Sequence, residues 1–187
     1  DLHSFPTRRS SDLDRKVPLR YCGILEPFGN AFHTLSYTSL EGKNVVVSGD
    51  GPIGAFAALV AKGRNAKRVF VIGANDFRIK IIQDLGFEVL DAKAFKTSEE
   101  LKAKFDELTD GEGIDAIGEF SGAPIALNNM IDVINPGGYL GILSVYGKNE
   151  FEVKVNELVF KNIQAQFICG RKIFETWEGS FDMINNG

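Results

Sequence analysis

From residue 44 onward, short apolar segments alternate with segments whose apolar positions recur at helical spacing. The short segments predict the strands Asn44–Ser48, Arg68–Ile72, Glu88–Leu90, Ala116–Glu119, Tyr139–Leu143 and Ile163–Ile168. The others predict the helices Ile53–Arg64, Phe77–Leu85, Ser98–Thr109, Ala126–Ile134 and Val155–Phe160. This alternation indicates an α/β fold, a doubly wound parallel sheet of six strands with helices on both faces.

The first predicted strand ends in a glycine-rich turn, because residues 49–54 read G-D-G-P-I-G and a helix follows. G-x-G-x-x-G between a strand and a helix is the context that dinucleotide binding requires. Gly49 is expected to allow the tight turn, Gly51 the approach of a pyrophosphate, and Gly54 close packing of the helix on the sheet. The helix N-terminus would attract the phosphates. The turn therefore predicts a Rossmann dinucleotide site, with a purely structural turn as the alternative.

Composition and charge bear on the partners and the compartment of the protein, and they do not change the prediction of a dinucleotide site. The chain has 187 residues, 44% of them hydrophobic, and a formal net charge of −4. That charge does not favour a nucleic-acid or anionic-membrane partner, and no apolar run approaches the length of a membrane span. Cys22 and Cys169 lack metal-ligand spacing, which indicates reduced thiols in a cytoplasmic protein.

Residues 1–13 differ from the rest of the chain. They are polar and basic, without periodicity or the apolar core of a signal peptide, and they resemble a translated sequencing adapter. We expect a non-native or disordered tail, with a natural tail or a targeting peptide as the alternative. His3 therefore receives no catalytic role.

Four blocks resemble the zinc-type medium-chain alcohol dehydrogenases, and within them the threonine dehydrogenase branch. Residues 26–34 read E-P-F-G-N-A-F-H-T, similar to the E-P-x-x-x-A-x-H block of that family. The segments G-P-I-G at 51–54, F-S-G-A-P at 120–124 and G-R-K-I-F-E-T-W at 170–177 support the resemblance, which covers residues 15–187. It implies a two-domain subunit in which a zinc ion polarises the alcohol and a nicotinamide cofactor takes the hydride.

The resemblance also divides the chain. Residues 14–43 correspond to a remnant of the catalytic domain with a lead-in helix, 44–170 to the dinucleotide-binding domain, and 171–187 to the start of a C-terminal return helix. Remnants of a missing substrate domain would thus flank the sheet. We expect a fragment that holds no metal and is inactive alone, while the intact parent would hold zinc and form a homodimer or homotetramer.

Glu26 is the residue to which the resemblance gives a catalytic role. In the family the acid of this block lies beside the zinc and assists a proton relay. The alternative is a carboxylate favoured by a helix N-terminus, with Pro27 in the first turn. His33 is interpreted as a packing or hydrogen-bonding histidine and not as a metal ligand.

The second strand bears on the choice between NAD and NADP. Sites that prefer NAD usually place Asp or Glu about twenty residues past the glycines, where it binds the ribose 2′-hydroxyl. The resemblance aligns Gly73 with that acid, so a carboxylate that would repel a 2′-phosphate is expected to be missing. Asp76 displaced into its role is the alternative. NAD is favoured by the family, and NADP stays open.

The resemblance implies further cofactor contacts at the glycine turn and at the ends of the second, fifth and sixth strands. These positions are Gly49, Gly51, Pro52, Ile53, Gly54, Gly73, Asn75, Arg78, Leu143, Ser144, Val145, Ile168 and Cys169. The alternative for each is an ordinary buried strand end, and Cys169 is expected to be a buried thiol without a redox role.

The activity implied by the resemblance is NAD(P)-dependent oxidation of a secondary alcohol in a small polar substrate, with L-threonine favoured. A polyol or sugar dehydrogenase of the same family is one alternative. A non-catalytic dinucleotide-binding module is another. The block at residues 26–34 argues against a zinc-free reductase.

Overall fold

Parallel strands form the centre of the part of the chain that this computed structural model describes, residues 19–172 and 174–186. They are β1 (Asn44–Ser48), β2 (Arg68–Gly73), β3 (Glu88–Asp91), β4 (Ile114–Glu119), β5 (Ile134–Ile142) and β6 (Gln164–Phe167). They pair into one six-stranded sheet in the order β3-β2-β1-β4-β5-β6. The order reverses between β1 and β4, and such a reversal opens a crevice at the carboxyl ends of the strands. The predicted doubly wound Rossmann sheet is confirmed.

Helices cover both faces of the sheet. They are α1 (Leu25–Thr34), α2 (Pro52–Gly63), α3 (Asp76–Asp84), α4 (Ser98–Leu108), α5 (Pro124–Val133), α6 (Val155–Phe160) and α7 (Glu175–Asn186), with 3₁₀ segments at Leu19–Ile24 and Ala92–Ala94. All five residues of β1 are buried, because its alternate side chains enter two different cores. Val45 and Val47 pack with α1 and α2, whereas Val46 packs with α4 and α5.

The fifth strand differs from its prediction at the start. β5 begins at Ile134 and not at Tyr139, although the segment N-P-G-G at 135–138 predicts a turn. Ile114 pairs with Ile134 and Ala116 with Tyr139, so the pairing shifts register across this segment. Gly137, at φ +76°, lies within the shift. The turn residues therefore interrupt a strand instead of preceding it.

Some expectations lie outside the described residues. These concern the tail at 1–13 with His3, and the parts of the predicted flanking segments at 14–18, 173 and 187. Among the residues that are described, no helix is long and apolar enough to cross a membrane.

Candidate functional site

The glycine turn joins β1 to α2 at the carboxyl edge of the sheet. Gly49 adopts φ +125°, and a Cβ atom there would lie 2.9 Å from the carbonyl carbon of Phe120. A Cβ atom on Gly54 would lie 2.0 Å from the Gly49 carbonyl oxygen. Neither position can hold a side chain. This crowding is consistent with the tight turn predicted for Gly49 and the close helix packing predicted for Gly54.

Gly51 differs from the other two glycines of the turn. A Cβ atom built there meets no heavy atom within 4 Å outside its chain neighbours. Gly51 is the N-cap of α2, Pro52 occupies the first turn, and no side chain accepts a hydrogen bond at this cap. The backbone therefore faces open space beside a helix N-terminus. A pyrophosphate-binding turn needs both features.

A cleft of about 580 Å³ opens next to this turn. It brings together predicted site residues from α1, the glycine turn, and the ends of β5 and β6. These are Glu26, Ile53, Leu143, Ser144, Val145, Ile168 and Cys169. The loop after β4 supplies further lining residues, Phe120, Ser121 and Gly122. Residues that are distant in sequence thus line the same cleft. The sheet topology predicts this, because a crevice forms at the carboxyl ends of the strands where the strand order reverses.

The strand ends at this cleft are not all buried. Val145 is 93% exposed, so it is not a buried strand end. Cys169 is an exposed free thiol, which makes the expectation of a buried thiol wrong. Ile168 is buried, and its N–H donates to the Ile142 carbonyl oxygen at 2.8 Å. Ser144 accepts a hydrogen bond at Oγ from the N–H of Gly122 at 3.0 Å. Ser144 therefore fixes the loop after β4.

Glu119 supports the same loop, and the sequence analysis missed it. This carboxylate is fully buried at the end of β4. It accepts hydrogen bonds from the N–H of Ser121 at 2.8 Å and from the Tyr146 hydroxyl at 2.9 Å. Burial raises the pKa of Tyr146, so its hydroxyl stays protonated and donates. A Glu at the end of a buried strand is the sequence signal that could have revealed this contact.

Glu26 lies in the first turn of α1 and faces the cleft. Its Oε1 accepts a hydrogen bond from Asn30 Nδ2 at 2.9 Å and contacts an Arg171 guanidinium nitrogen at 3.3 Å. Both interpretations of Glu26 thus retain support, because the residue is at a helix N-terminus and also lines the cleft. The ion pair with Arg171 was not predicted.

His33 is held by hydrogen bonds, as predicted. Its Nδ1 lies 2.9 Å from the Gly170 carbonyl oxygen, and its Nε2 lies 3.0 Å from the Tyr37 hydroxyl. Because a carbonyl can only accept, Nδ1 donates to Gly170, while Nε2 forms the hydrogen bond with the Tyr37 hydroxyl. The ring is buried and both nitrogens are engaged.

The turn between β2 and α3 donates hydrogen bonds to a carboxylate of the glycine turn, Asp50, which the sequence analysis missed. Asp50 Oδ2 accepts hydrogen bonds from the N–H groups of Ala74 and Asn75 at 2.9 and 2.8 Å. Asp50 Oδ1 accepts one from Arg78 Nε at 2.9 Å. The expectation that this turn lacks a carboxylate because residue 73 is Gly is therefore wrong.

Charge and capping fix the geometry of this turn. Burial raises the pKa of the Asp50 carboxyl, but the hydrogen bonds from Asn75 and Ala74 and the Arg78 charge outweigh it and lower the pKa below its ordinary value. Asn75 also caps α3, since its side-chain oxygen accepts from the Arg78 N–H at 3.1 Å. Asp76 instead pairs with Lys93 at the surface, at 2.5 Å.

A metal site is a separate question from the dinucleotide site. Across residues 19–172 and 174–186, no group of three or more His, Cys, Asp or Glu side chains could hold a metal ion. Cys22 and Cys169 are free thiols. These residues do not form a zinc centre, and we derive no chemical step through zinc from them.

Comparison with known proteins decides the family. The sequence model of the family described as zinc-binding dehydrogenase matches residues 52–186. The chain belongs to the zinc-binding dehydrogenases. The resemblance inferred from the sequence blocks is therefore confirmed.

Curated relatives of this zinc-binding dehydrogenase chain include L-threonine 3-dehydrogenases. The enzyme of Chromobacterium violaceum is 35% identical over 165 residues, which are 88% of this chain and 47% of that protein. The enzyme of Sinorhizobium fredii is 37% identical over 172 residues, 91% of this chain and 48% of that protein. The chain thus spans about half the length of the curated relatives it matches.

A solved structure of an alcohol dehydrogenase shows the same fold. An alcohol dehydrogenase from Thermotoga maritima superposes with a TM-score of 0.83 at 24% sequence identity. The match covers 93% of this chain and 49% of that one. At this identity the likeness shows the fold alone.

Proposed function

We propose that this chain binds a nicotinamide dinucleotide across the carboxyl edge of its sheet, as the cofactor-holding part of an NAD(P)-dependent dehydrogenase. The glycine turn carries the proposal. Its outer glycines, Gly49 and Gly54, have no room for a side chain, whereas Gly51 faces open space at a helix N-terminus. A turn with only a structural role has no need of that open space.

We assign the three parts of the cofactor to three places in the chain. The pyrophosphate lies on the N-terminus of α2, where Pro52 and Ile53 follow the open glycine. The nicotinamide enters the cleft beside the ends of β5 and β6, and the adenosine lies over the turn between β2 and α3. When bound, the cofactor would supply hydride acceptance from an alcohol carbon. The residues that would hold its nicotinamide beside this chemistry are Leu143, Ser144, Val145, Ile168 and Cys169, which line the cleft.

The substrate we propose is the secondary alcohol of a small polar molecule, with L-threonine favoured. The curated relatives named L-threonine 3-dehydrogenase support this choice, as does the G-R-K-I-F-E-T-W block at 170–177. We assign turnover, zinc binding and homo-oligomerisation in the cytoplasm to the complete gene product, since the chain spans about half of those relatives. One competing proposal is a polyol or sugar as the substrate. Another is a dinucleotide-binding module that catalyses no reaction.

Calorimetry on the 187-residue chain tests the binding proposal. We expect NADH or NADPH to bind, and we expect no oxidation of L-threonine when zinc is added to the chain alone. A folded sample that binds neither dinucleotide would contradict the cofactor site. Threonine oxidation by the chain alone would contradict the assignment of turnover to the complete gene product.

A further inference from the structure

Beside Gly73, at the end of β2, is a space that a residue of the glycine turn fills. Gly73 stands where dinucleotide domains that prefer NAD carry an acid. A Cβ atom built on Gly73 would lie 2.8 Å from the Cβ of Asp50 and 2.9 Å from its Oδ2. The carboxylate can reach this point because β1 and β2 are adjacent and parallel, with Ser48 opposite Ile72. Asp50 thus occupies the volume that a side chain at position 73 would take.

We propose that Asp50 gives this chain a preference for NAD over NADP, by supplying from the glycine turn the carboxylate that is absent at Gly73. This inference rests on the proposed function, since it requires a dinucleotide at the turn. Asp50 occupies the first variable position of G-x-G-x-x-G. The motif places no chemical requirement on that position.

The contacts of Asp50 use the groups that a 2′-phosphate would need. Backbone N–H groups of a turn and an arginine guanidinium are common ligands of phosphate. Here the N–H groups of Ala74 and Asn75 and the Nε of Arg78 all donate to the Asp50 carboxylate. A 2′-phosphate would have to displace that carboxylate from its donors. Otherwise it would lie beside a like charge in a partly desolvated turn.

The same carboxylate can accept a ribose hydroxyl. An ionised carboxylate offers about four acceptor positions, and protein donors use three of those of Asp50. The 2′-hydroxyl of NAD has a proton to donate to the remaining position, whereas a 2′-phosphate dianion has none. Asp50 is only 8% exposed, and its hydrogen bonds hold the carboxylate in place. Its charge therefore has a fixed position in the turn.

The test measures dissociation constants of NADH and NADPH for the 187-residue chain and for Asp50→Asn. The same measurement with 5′-AMP and 2′,5′-ADP isolates the 2′-phosphate from the rest of the cofactor. The native chain should bind NADH at least about tenfold more tightly than NADPH. Asp50→Asn keeps the size of the side chain and removes its charge. It should reduce that ratio by about tenfold to a hundredfold, the range for a charge-assisted hydrogen bond.

Two further variants test whether Asp50, and not a neighbouring charged residue, determines the preference for NADH. Asp76→Asn is the matched control, because it removes a nearby carboxylate that pairs with Lys93 at the surface; its ratio should equal that of the native chain. Arg78→Gln retains the Asp50 charge and removes the cation, so the preference for NADH should persist or increase. This variant gives a readout even where circular dichroism shows that Asp50→Asn has not folded.

Each result has a defined consequence. Equal affinities for NADH and NADPH in the native chain, or an unchanged ratio in folded Asp50→Asn, would overturn the role of Asp50 and leave the dinucleotide site standing. A shift in the ratio with Asp76→Asn would move the role to that residue. Loss of the NADH preference in Arg78→Gln would move it to Arg78. Binding of neither dinucleotide would overturn the proposed function and this inference together.

Discussion

The two ends of the candidate site satisfy their polar groups differently. At the end proposed to hold the adenosine, called here the adenosine end, the Asp50 carboxylate accepts three hydrogen bonds from Ala74, Asn75 and Arg78. At the opposite end, α1 meets α7 and the segment that precedes it. There, three buried side-chain atoms have no hydrogen-bond partner among the described residues: Asn30 Oδ1, Arg171 Nε and Trp177 Nε1. An unpaired buried polar atom costs roughly 1–3 kcal/mol. The second end is therefore chemically incomplete within the described part of the chain.

The difference follows from how each end is built. The adenosine end uses two turns that follow adjacent parallel strands, so sheet register alone brings Asp50 to Gly73. The other end joins Glu26 to Arg171, residues separated by 145 positions, through the packing of α1 near α7. Its unpaired atoms are buried, so this end carries a desolvation cost that the adenosine end does not. Function should therefore respond differently to mutation at the two ends.

The largest effect is expected from Glu26→Ala in the complete gene product. A carboxylate that relays the hydroxyl proton acts in the chemical step, and general acid–base assistance is worth about 10²–10⁴-fold. Turnover should fall by that factor while the dissociation constant of the cofactor changes little. Steady-state kinetics together with NADH titration measure the two quantities separately.

Glu41→Ala serves as the control for Glu26. Glu41 is an exposed carboxylate in the turn before β1, at the amino edge of the sheet and away from the cleft. It should leave turnover unchanged. If Glu26→Ala keeps its turnover number and only its melting temperature falls, then Glu26 stabilises α1 and its pair with Arg171 without a catalytic role.

The glycine turn lies between the two ends, and Gly51→Val tests whether they share one ligand. The valine would project into the open space at the N-terminus of α2. Because Gly51 has φ −73°, the backbone accepts a side chain and the fold should persist. Dinucleotide affinity should fall by roughly a hundredfold or more, the value of one or two charge-assisted hydrogen bonds.

Gly147→Val is the matched control for that variant, since a Cβ atom there also meets open space but lies outside the glycine turn. It should bind dinucleotide like the native chain. Unchanged affinity in folded Gly51→Val would mean that the pyrophosphate lies elsewhere.

Moving the carboxylate back to β2 should give a smaller effect that tests the adenosine end. Gly73→Asp alone would overpack against Asp50, at a cost of about 1–3 kcal/mol in the free energy of unfolding. Combining it with Asp50→Gly removes both contacts with the side chain of residue 50 and restores an acid to the turn, and the contact with Ile79 Cγ1 at 2.9 Å remains. The double variant should therefore recover part of the lost stability and prefer NADH, and a double-mutant cycle measures the coupling. Additive effects of the two substitutions would show that the side chains do not share one space.

The sequence predicted the fold well because hydrophobic patterning determines a parallel sheet almost alone. The bounds of β1 and α6 match their predictions, and every predicted strand is present. The start of β5 was wrong because the N-P-G-G segment is a strong turn signal, while pairing of Ile134 with Ile114 is a tertiary contact. The local sequence around Ile134 does not show this pairing, because the partner strand is distant in the sequence.

The candidate site was only partly predictable. The glycines were identified because each has a steric role in the motif, and the spacing of the motif reveals that role. Asp50 was missed because it stands at a variable position of the motif, and its partner position, Gly73, was considered without it. Residue 50 follows β1, and residue 73 ends the adjacent strand β2. Considering the two positions together would have revealed that Asp50 fills the space beside Gly73. The ion pair of Glu26 with Arg171 had no comparable signal, since it depends on how α1 packs near α7.

The smallest effect we predict is a pH dependence of stability that comes from Asp50. Its pKa is lowered in the folded chain because donors and Arg78 favour the charged form. The stabilisation is therefore present above the ordinary carboxyl pKa, about 4, and is lost as the pH falls through the folded-state value. Asp50→Asn should reduce the free energy of unfolding by about 1–2 kcal/mol at pH 7. Urea unfolding should show this difference shrinking below about pH 4. Asp76→Asn, a surface change worth within about 0.5 kcal/mol, gives the baseline. A difference between Asp50→Asn and the native chain that stays constant from pH 7 to pH 3 would show that the Asp50 charge does not stabilise the turn.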